Sequence, residues 1–198
     1  MEIEGAILVG GESRRMGRDK STLVLGGRPV LERLKEAMEP LTDRLRVVGG
    51  SGSGASTELE HQPDLRPGLG PLSGIHAALA TAEASAVLVV ACDLPFVTTP
   101  FLMAIVKRAS SDVEGVVPFA GDGPVPVCAL YRTTCLRALE ARLDRGELSA
   151  QSFVESITVR WVMPRELQVI DPDALCLFNM NDPSDYQAAL AIVARERP

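Results

Sequence analysis

Four basic residues, Arg14, Arg15, Arg18 and Lys20, crowd together just after the pair Gly10-Gly11. Such a loop suits an oxyanion. Glycine lets backbone N–H groups close around phosphate oxygens as a nest. Arginine adds a planar fork of donors and lysine a point charge. A solvated turn with scattered charges is the plainer alternative. Two familiar phosphate motifs fail here. The P-loop needs Gly directly before Lys, but Arg18 and Asp19 separate Gly17 from Lys20. The spacing G-x-G-x-x-G is also missing after Gly10-Gly11. Position favours a polyphosphate, because the loop follows the first strand of an alternating pattern, where α/β folds place their ligands.

Other residues suited to chemistry lie further on. Asp93 ends the apolar run "AVLVVACD" (86–93). A carboxylate there is costly to bury unpaired. Mg²⁺, which takes one or two carboxylates together with substrate phosphates, would satisfy it, as would a role capping the next turn. In "LFNMNDPSDY" (177–186), Asn179 and Asn181 alternate on a predicted strand end and so face the same way. Both offer an amide oxygen to a metal or a donor to phosphate. Alternatively, Asn181 and Asp182 form only the loop and cap of the last helix. The segment "DLRPGLGPLSGIHAAL" (64–79) reads by itself as a helix-entry turn.

These residues need a scaffold. Short apolar runs predict strands at 3–9, 45–50, 86–93, 115–119, 126–131 and 157–164. Apolar residues at Val30, Leu31, Leu34, Ala37, Met38 and Leu41 predict a helix over 28–41. Further helices are expected at 74–84, 99–110, 133–143 and 149–155. The last begins with Asp182 as N-cap, Pro183 as its first residue and Asp185 in its first turn. Trp161 reads as core or domain edge, and the loop "GSGSGAS" (50–56) as flexible by composition. Alternating strands and helices imply an α/β fold with a mostly parallel sheet flanked by helices. Gly10-Gly11 and Asp93 both fall at carboxyl ends of predicted strands.

Composition bounds the partners. The chain has 198 residues, 46% hydrophobic and 23% charged, enough for one sizeable core. A formal net charge of -6 argues against nucleic acid or an anionic membrane as partner. The start "MEIEGAILVGG" lacks the basic region of a signal peptide, and no run approaches the ~20 apolar residues of a membrane span. Cys92, Cys128, Cys135 and Cys176 form no C-x-x-C pair and read as small apolar residues of a reduced compartment, hence a cytoplasmic protein.

"ILVGGESRRMGRDKSTLVLGGRPVL" resembles the opening of the molybdenum cofactor guanylyltransferases, roughly L-x-G-G-x-S-x-R-M-G-x-D-K followed by G-x-P-L. Val9 stands for the more usual alanine and Val30 for leucine. "GPLSG" (70–74), "CDLPF" (92–96) and "FNMNDPSDY" (178–186) are similar to later signatures of that family. The resemblance spans residues 8 to 186, so it implies one nucleotidyltransferase domain over 1–198, with the Rossmann-like sheet of the nucleotide-diphospho-sugar transferase type. It implies that Leu8, Val9, Gly10 and Gly11 approach GTP and that Arg15 and Lys20 hold its phosphates. Gly70, Pro71, Leu72 and Gly74 would meet base and ribose, and Asp64 would match an acidic residue facing the nucleotide. Asp93 would hold Mg²⁺, completed by Asn181, with Asn179 contacting phosphate or acceptor. Val125 stands where the family often has histidine, so no acceptor contact is assigned there.

The implied reaction moves GMP from GTP to the terminal phosphate of molybdopterin, the organic part of the molybdenum cofactor, and releases pyrophosphate. A protein that delivers the cofactor is an implied partner. Related cytidylyltransferases carry alanine where this chain has Gly10, so the missing Cβ is expected to leave room for a purine. The rivals are a CTP-dependent or sugar-phosphate nucleotidyltransferase of the same fold, and a non-catalytic nucleotide-binding protein. An NAD-dependent oxidoreductase is disfavoured by the absent fingerprint. The resemblance implies that Lys20 acts on phosphate charge that grows in the transition state, so Lys20→Ala should lower turnover more than a few fold with little loss of stability. Arg18 occupies a variable position, and Arg18→Ala should matter much less. Equal effects in a pyrophosphate-release assay would reduce the loop to a diffuse electrostatic patch.

Overall fold

A computed structural model describes residues 1–10, 22–50, 58–121 and 123–195. Gly11, Arg14, Arg15, Arg18 and Lys20, with nearly all of the 50–56 loop, lie outside the described residues. The described chain runs through strands β1 (Ile3–Leu8), β2 (Val24–Leu25) and β3 (Arg28–Pro29), helix α1 (Val30–Met38), then β4 (Arg44–Val48) and β5 (Glu60–Gln62). Next come α2 (Pro71–Ala80), β6 (Ala86–Ala91), α3 (Thr99–Val106), β7 (Gly115–Ala120), β8 (Gly123–Pro124) and β9 (Cys128–Arg132). Helices α4 (Leu136–Asp144) and α5 (Ala150–Glu155), strand β10 (Val159–Val162), and helices α6 (Pro164–Leu167) and α7 (Pro183–Arg195) complete it.

The main sheet has the order β10-β7-β9-β6-β1-β4-β5, with β8 added beside β7. β1 pairs in parallel with β4 on one side and β6 on the other. β9 is antiparallel to both its neighbours, β6 and β7. The sheet is therefore mixed but mostly parallel. β6 is buried at every residue. Its Ala86, Leu88 and Val90 join a core with α1, α3 and α7, while Val87, Val89 and Ala91 join another with α2, α4 and α5. Burial on both faces is why this run is apolar without alternation. Each large apolar side chain so buried contributes about 1.5–3 kcal/mol.

Several boundaries differ from the pattern-based expectation, for identifiable reasons. Arg28 and Pro29 belong to an antiparallel ladder with Val24 and Leu25, turned by Gly26 and Gly27 at positive φ, so α1 starts only at Val30. Helix α2 starts at Pro71 rather than at 74, since proline suits the first helical position, where no N–H is required. It stops at Ala80, because the next turn is claimed by Glu4. The Glu4 Oε1 accepts from the backbone N–H groups of Glu83 (2.8 Å) and Ala84 (3.1 Å). Residues 179–181 are not a strand end but irregular chain.

Glu4 and Arg46 form the buried ion pair beneath this arrangement, with Arg46 Nη2 donating to Glu4 Oε2 at 2.7 Å. Arg46 also donates to Thr81 Oγ1 (2.7 Å) and to the Ala78 carbonyl (3.5 Å), so one guanidinium ties β1, β4 and the end of α2 together. Removing one partner strands the other charge in the core. Arg46→Met should cost about 3–5 kcal/mol in urea unfolding, and the double variant Glu4→Gln/Arg46→Met should recover most of that. A single variant as stable as the native protein would show that the pair does not hold these elements.

Candidate functional site

Parallel pairing sets the carboxyl ends of β1, β4, β5 and β6 level. Leu8 is in register with Val48 and with Ala91, and Val48 with Gln62. Hydrogen bonds carry the ladder one residue further. The Val9 N–H donates to the Val48 carbonyl (2.8 Å), Cys92 N–H to the Leu8 carbonyl (2.9 Å), and Gly49 N–H to the Gln62 carbonyl (2.9 Å). The chain then turns away from the sheet in four adjacent places, and these turns hold Gly10, Gly49-Gly50, Asp64 and Asp93.

Two of the turns touch through their backbones. Gly10 has φ +93°, and a Cβ there would lie 2.7 Å from the Gly50 nitrogen. Gly49 has φ +90°, and its Cβ would lie 2.5 Å from the Val9 carbonyl oxygen and 3.2 Å from Asp64 Oδ1. Only glycine permits both the dihedral and the approach. This corrects the expectation for Gly10: the space a side chain would take is filled by the Gly50 backbone and is not room for a purine. Sequence reasoning missed Gly49 and Gly50 as site residues. The signal was present, since "RVVGG" after β4 repeats the strand-then-glycine pattern of "ILVGG" after β1.

His61 was missed as well. Its Nε2 is 2.7 Å from the Gly49 carbonyl oxygen. A carbonyl only accepts, so Nε2 is the protonated nitrogen. β5 thus holds Gly49 by both its N–H and its C=O. Next to it, Asp64 is part-buried, and its Oδ1 has no hydrogen-bond partner among the described residues. Burial pushes the Asp64 carboxyl above its ordinary range, with His61 pulling the other way. Asp64 Oδ1 faces Gly49, 3.2 Å from where a Cβ there would stand.

The segment expected to meet base and ribose divides in two. Gly70 (φ +63°) and Pro71 are exposed at the start of α2, and nothing lies within 4 Å of a Cβ built on Gly70. Leu72 is fully buried, and Gly74 packs against Leu8, where a Cβ would stand 3.0 Å from Leu8 Cδ2. Gly70 and Pro71 are thus open to a ligand, while Leu72, Gly74 and the Leu8 side chain seat α2 on β1.

Asp93 stands two residues beyond β6, and its carbonyl accepts from the Met180 N–H (2.8 Å). Met180 is fully buried, and Phe178 packs edge-on to Phe96 with centroids 5.7 Å apart. These contacts bring Asn179 and Asn181, both exposed, to the Asp93 edge without any strand. Asp185 Oδ2 accepts from the N–H groups of Asn181 (2.8 Å) and Asp182 (3.1 Å), while Asp182 Oδ1 accepts from Asp185 N–H (3.0 Å). This reciprocal cap fixes Asn181 where α7 begins. Among the described residues no three His, Cys, Asp or Glu side chains form a ready-made metal cage. Mg²⁺ needs none, because it keeps sites for water and substrate phosphate. The oxygen donors of Asp93 and Asn181 fit that chemistry. All four cysteines are buried and unpaired with one another, and burial, reinforced by Cys176 and Asp93, pushes the Cys128 thiol well up, so it is packing rather than nucleophile.

The pattern of the MobA-like NTP transferase domain matches residues 5–160. The chain belongs to this family. It is 34% identical over 198 residues to a protein of Pelotomaculum thermopropionicum named "Probable molybdenum cofactor guanylyltransferase", covering 100% of this chain and 96% of that one. It is 30% identical over 203 residues to the molybdenum cofactor guanylyltransferase of Desulfosudis oleivorans, covering 98% of each. Its fold matches the crystal structure of molybdopterin-guanine dinucleotide biosynthesis protein A from Archaeoglobus fulgidus with a TM-score of 0.80, at 27% identity, over 97% of this chain and 99% of that one. The family's mostly parallel, helix-flanked sheet is the architecture found here. No helix among the described residues is long and apolar enough to cross a membrane.

Asp64 generates a prediction with a definite sign. Its carboxyl holds a proton more tightly folded than unfolded, so stability falls as pH rises from the ordinary aspartate value through the raised one, and stays lower above it. Asp64→Asn removes that penalty. Its melting temperature should equal or exceed the native value at neutral pH, and the difference should shrink as pH falls toward the ordinary aspartate range. Nucleotide affinity should drop in the same variant. A lower melting temperature at neutral pH would mean that the carboxylate has a stabilising partner.

Proposed function

We propose that this protein transfers GMP from GTP to the terminal phosphate of molybdopterin or the molybdenum cofactor, releasing pyrophosphate. The observation that carries the reading is the shared sheet edge. There the Met180–Asp93 hydrogen bond brings the 179–181 segment to Asp93, after β6, while Asp64 follows β5 at the same sheet edge. Full-length similarity to proteins named molybdenum cofactor guanylyltransferase supports the same assignment.

The chemistry follows from the substrates. The acceptor's phosphate oxygen attacks the α-phosphorus, a new P–O bond forms, and the bond to the β-phosphate oxygen breaks. A phosphate monoester dianion is already nucleophilic, so the protein needs no strong general base. Its work is positioning and charge neutralisation. Gly10, Gly49 and Gly50 let the turns after β1 and β4 pack backbone to backbone, and that packed floor would carry the nucleotide. The Asp64 carboxylate offers an acceptor to the nucleotide, and Gly70 and Pro71 leave space at the start of α2. Arg15 and Lys20 neutralise the triphosphate and the leaving pyrophosphate. Mg²⁺ held by Asp93 and Asn181 would supply further neutralisation of phosphate oxygens.

Guanine presents both donors and acceptors to backbone and Asp64. A wrong base leaves such groups unpaired at about 1–3 kcal/mol each, so GTP should be preferred to CTP by about tenfold or more. Pyrophosphate release with molybdopterin as acceptor measures this directly. Asp93→Asn should lose most of that activity while melting normally. Comparable use of GTP and CTP would remove the guanylyl assignment, and full turnover by Asp93→Asn would remove Asp93 from the reaction. The Gly10→Ala variant is a poor test of base choice, because it would collide with Gly50 whichever base is bound.

A further inference from the structure

The nucleotide side of the edge is built by β1, β4, β5 and α2. The acceptor has to reach the same α-phosphorus from ground these elements do not cover, which leaves the β9–β7–β10 half of the sheet. Register locates what stands there. Leu130 faces Leu88 of β6 on one side and Val116 of β7 on the other. Three residues on, Phe119 is therefore level with Ala91, close to the height of Asp93. Trp161 is in register with Val117 and packs against the same core cluster as Val117, Val89 and Ala91. Phe119, two residues after Val117, turns to that same face. The two rings meet at 84° with centroids 6.1 Å apart, and both remain part-exposed.

We propose that Phe119 and Trp161 are the subsite for the flat heterocyclic ring of the acceptor. This rests on the guanylyltransferase reading and adds the acceptor's place to it. At about 4.8 Å per strand, Phe119 lies roughly 10 Å and Trp161 roughly 14 Å across the sheet from β6. That separation suits a fused ring system stacked on the aromatics with its phosphate arm reaching back to Asp93. Two rings at a right angle give a fixed corner, one face and one edge, and aromatic groups favour both stacked and edge-on contacts. Val125, the position without the histidine, donates its N–H to the Pro118 carbonyl and packs on the core. Val125 packs in the core on the other face of the sheet, so the aromatic corner stands apart from that position.

Trp161 is the only tryptophan in the chain, so it reports on its own surroundings. The probe is 6-hydroxymethylpterin, which has the ring but no phosphate and so binds independently of nucleotide transfer. Saturable quenching of Trp161 emission is expected, after correction for pterin absorbance, with little quenching by guanosine. By calorimetry, Phe119→Leu and Trp161→Leu should each weaken pterin binding by about tenfold, while GTP affinity stays within about twofold. Trp161→Phe, which keeps a ring, should retain most of the pterin affinity. Circular dichroism checks that each variant is folded; should Trp161→Leu not fold, Phe119→Leu and native-protein quenching decide. Absence of quenching, equal quenching by guanosine, or pterin binding unchanged in folded leucine variants overturns the subsite. If GTP fails to bind while pterin quenches Trp161, the guanylyl reading falls and the aromatic subsite stands. If GTP binds and pterin does not, the subsite alone falls.

Discussion

The position of β1 between two parallel neighbours is the constraint from which the site follows. Parallel ladders leave little freedom of register once both faces of the strand are buried, because a slip of one residue would turn every apolar side chain to the wrong core. Ile3 and Ile7 enter one cluster, Ala6 and Leu8 the other. With β1 locked, the ends of β4 and β6 must finish level with it. The turns that leave those ends are then forced into contact, and the edge becomes a site.

That edge uses two kinds of surface. At β1 and β4 the edge is backbone, where glycines at positive φ let the two turns approach each other. At β5 and β6 it is carboxylate, Asp64 and Asp93. Side chains from elsewhere hold both in place: His61 fixes Gly49, and the capped start of α7 fixes Asn181. The basic residues between positions 14 and 20 are proposed to let an acidic chain meet a polyphosphate, because a local cluster outweighs a weak net field at contact distance.

Opposite the site, the Glu4–Arg46 pair does comparable work for the scaffold. It closes the last turn of α2, whose first turn opens on the candidate nucleotide surface. A charge pair so fully buried adds little net stability against an apolar alternative, but its directional hydrogen bonds set one arrangement of β1, β4 and α2.

The sequence by itself determined what depends on near neighbours. β6 announces itself by an unbroken apolar run, α7 by Asp182 and Pro183, and α1 by its helical spacing. Candidate site residues stand out where residue type and strand end coincide, as at Gly10 and Asp93, and a long motif ties the chain to a family. What depends on residues far apart in the chain was left to the tertiary structure. Glu4 looked like one acid in an N-terminal segment until Arg46, 42 positions away, met it in the core. Asn179 and Asn181 reach the Asp93 edge through the bond from the Met180 N–H to the Asp93 carbonyl rather than through a strand. Gly10 owed its missing side chain to Gly50, and His61 gained a role only when β5 paired with β4. The antiparallel course of β9, which sets Phe119 level with the site, likewise followed from packing. Local patterns encode helices, strands and caps because their partners lie a few residues away. Register, burial of charge and the approach of two backbones depend on partners that only the folded chain brings together.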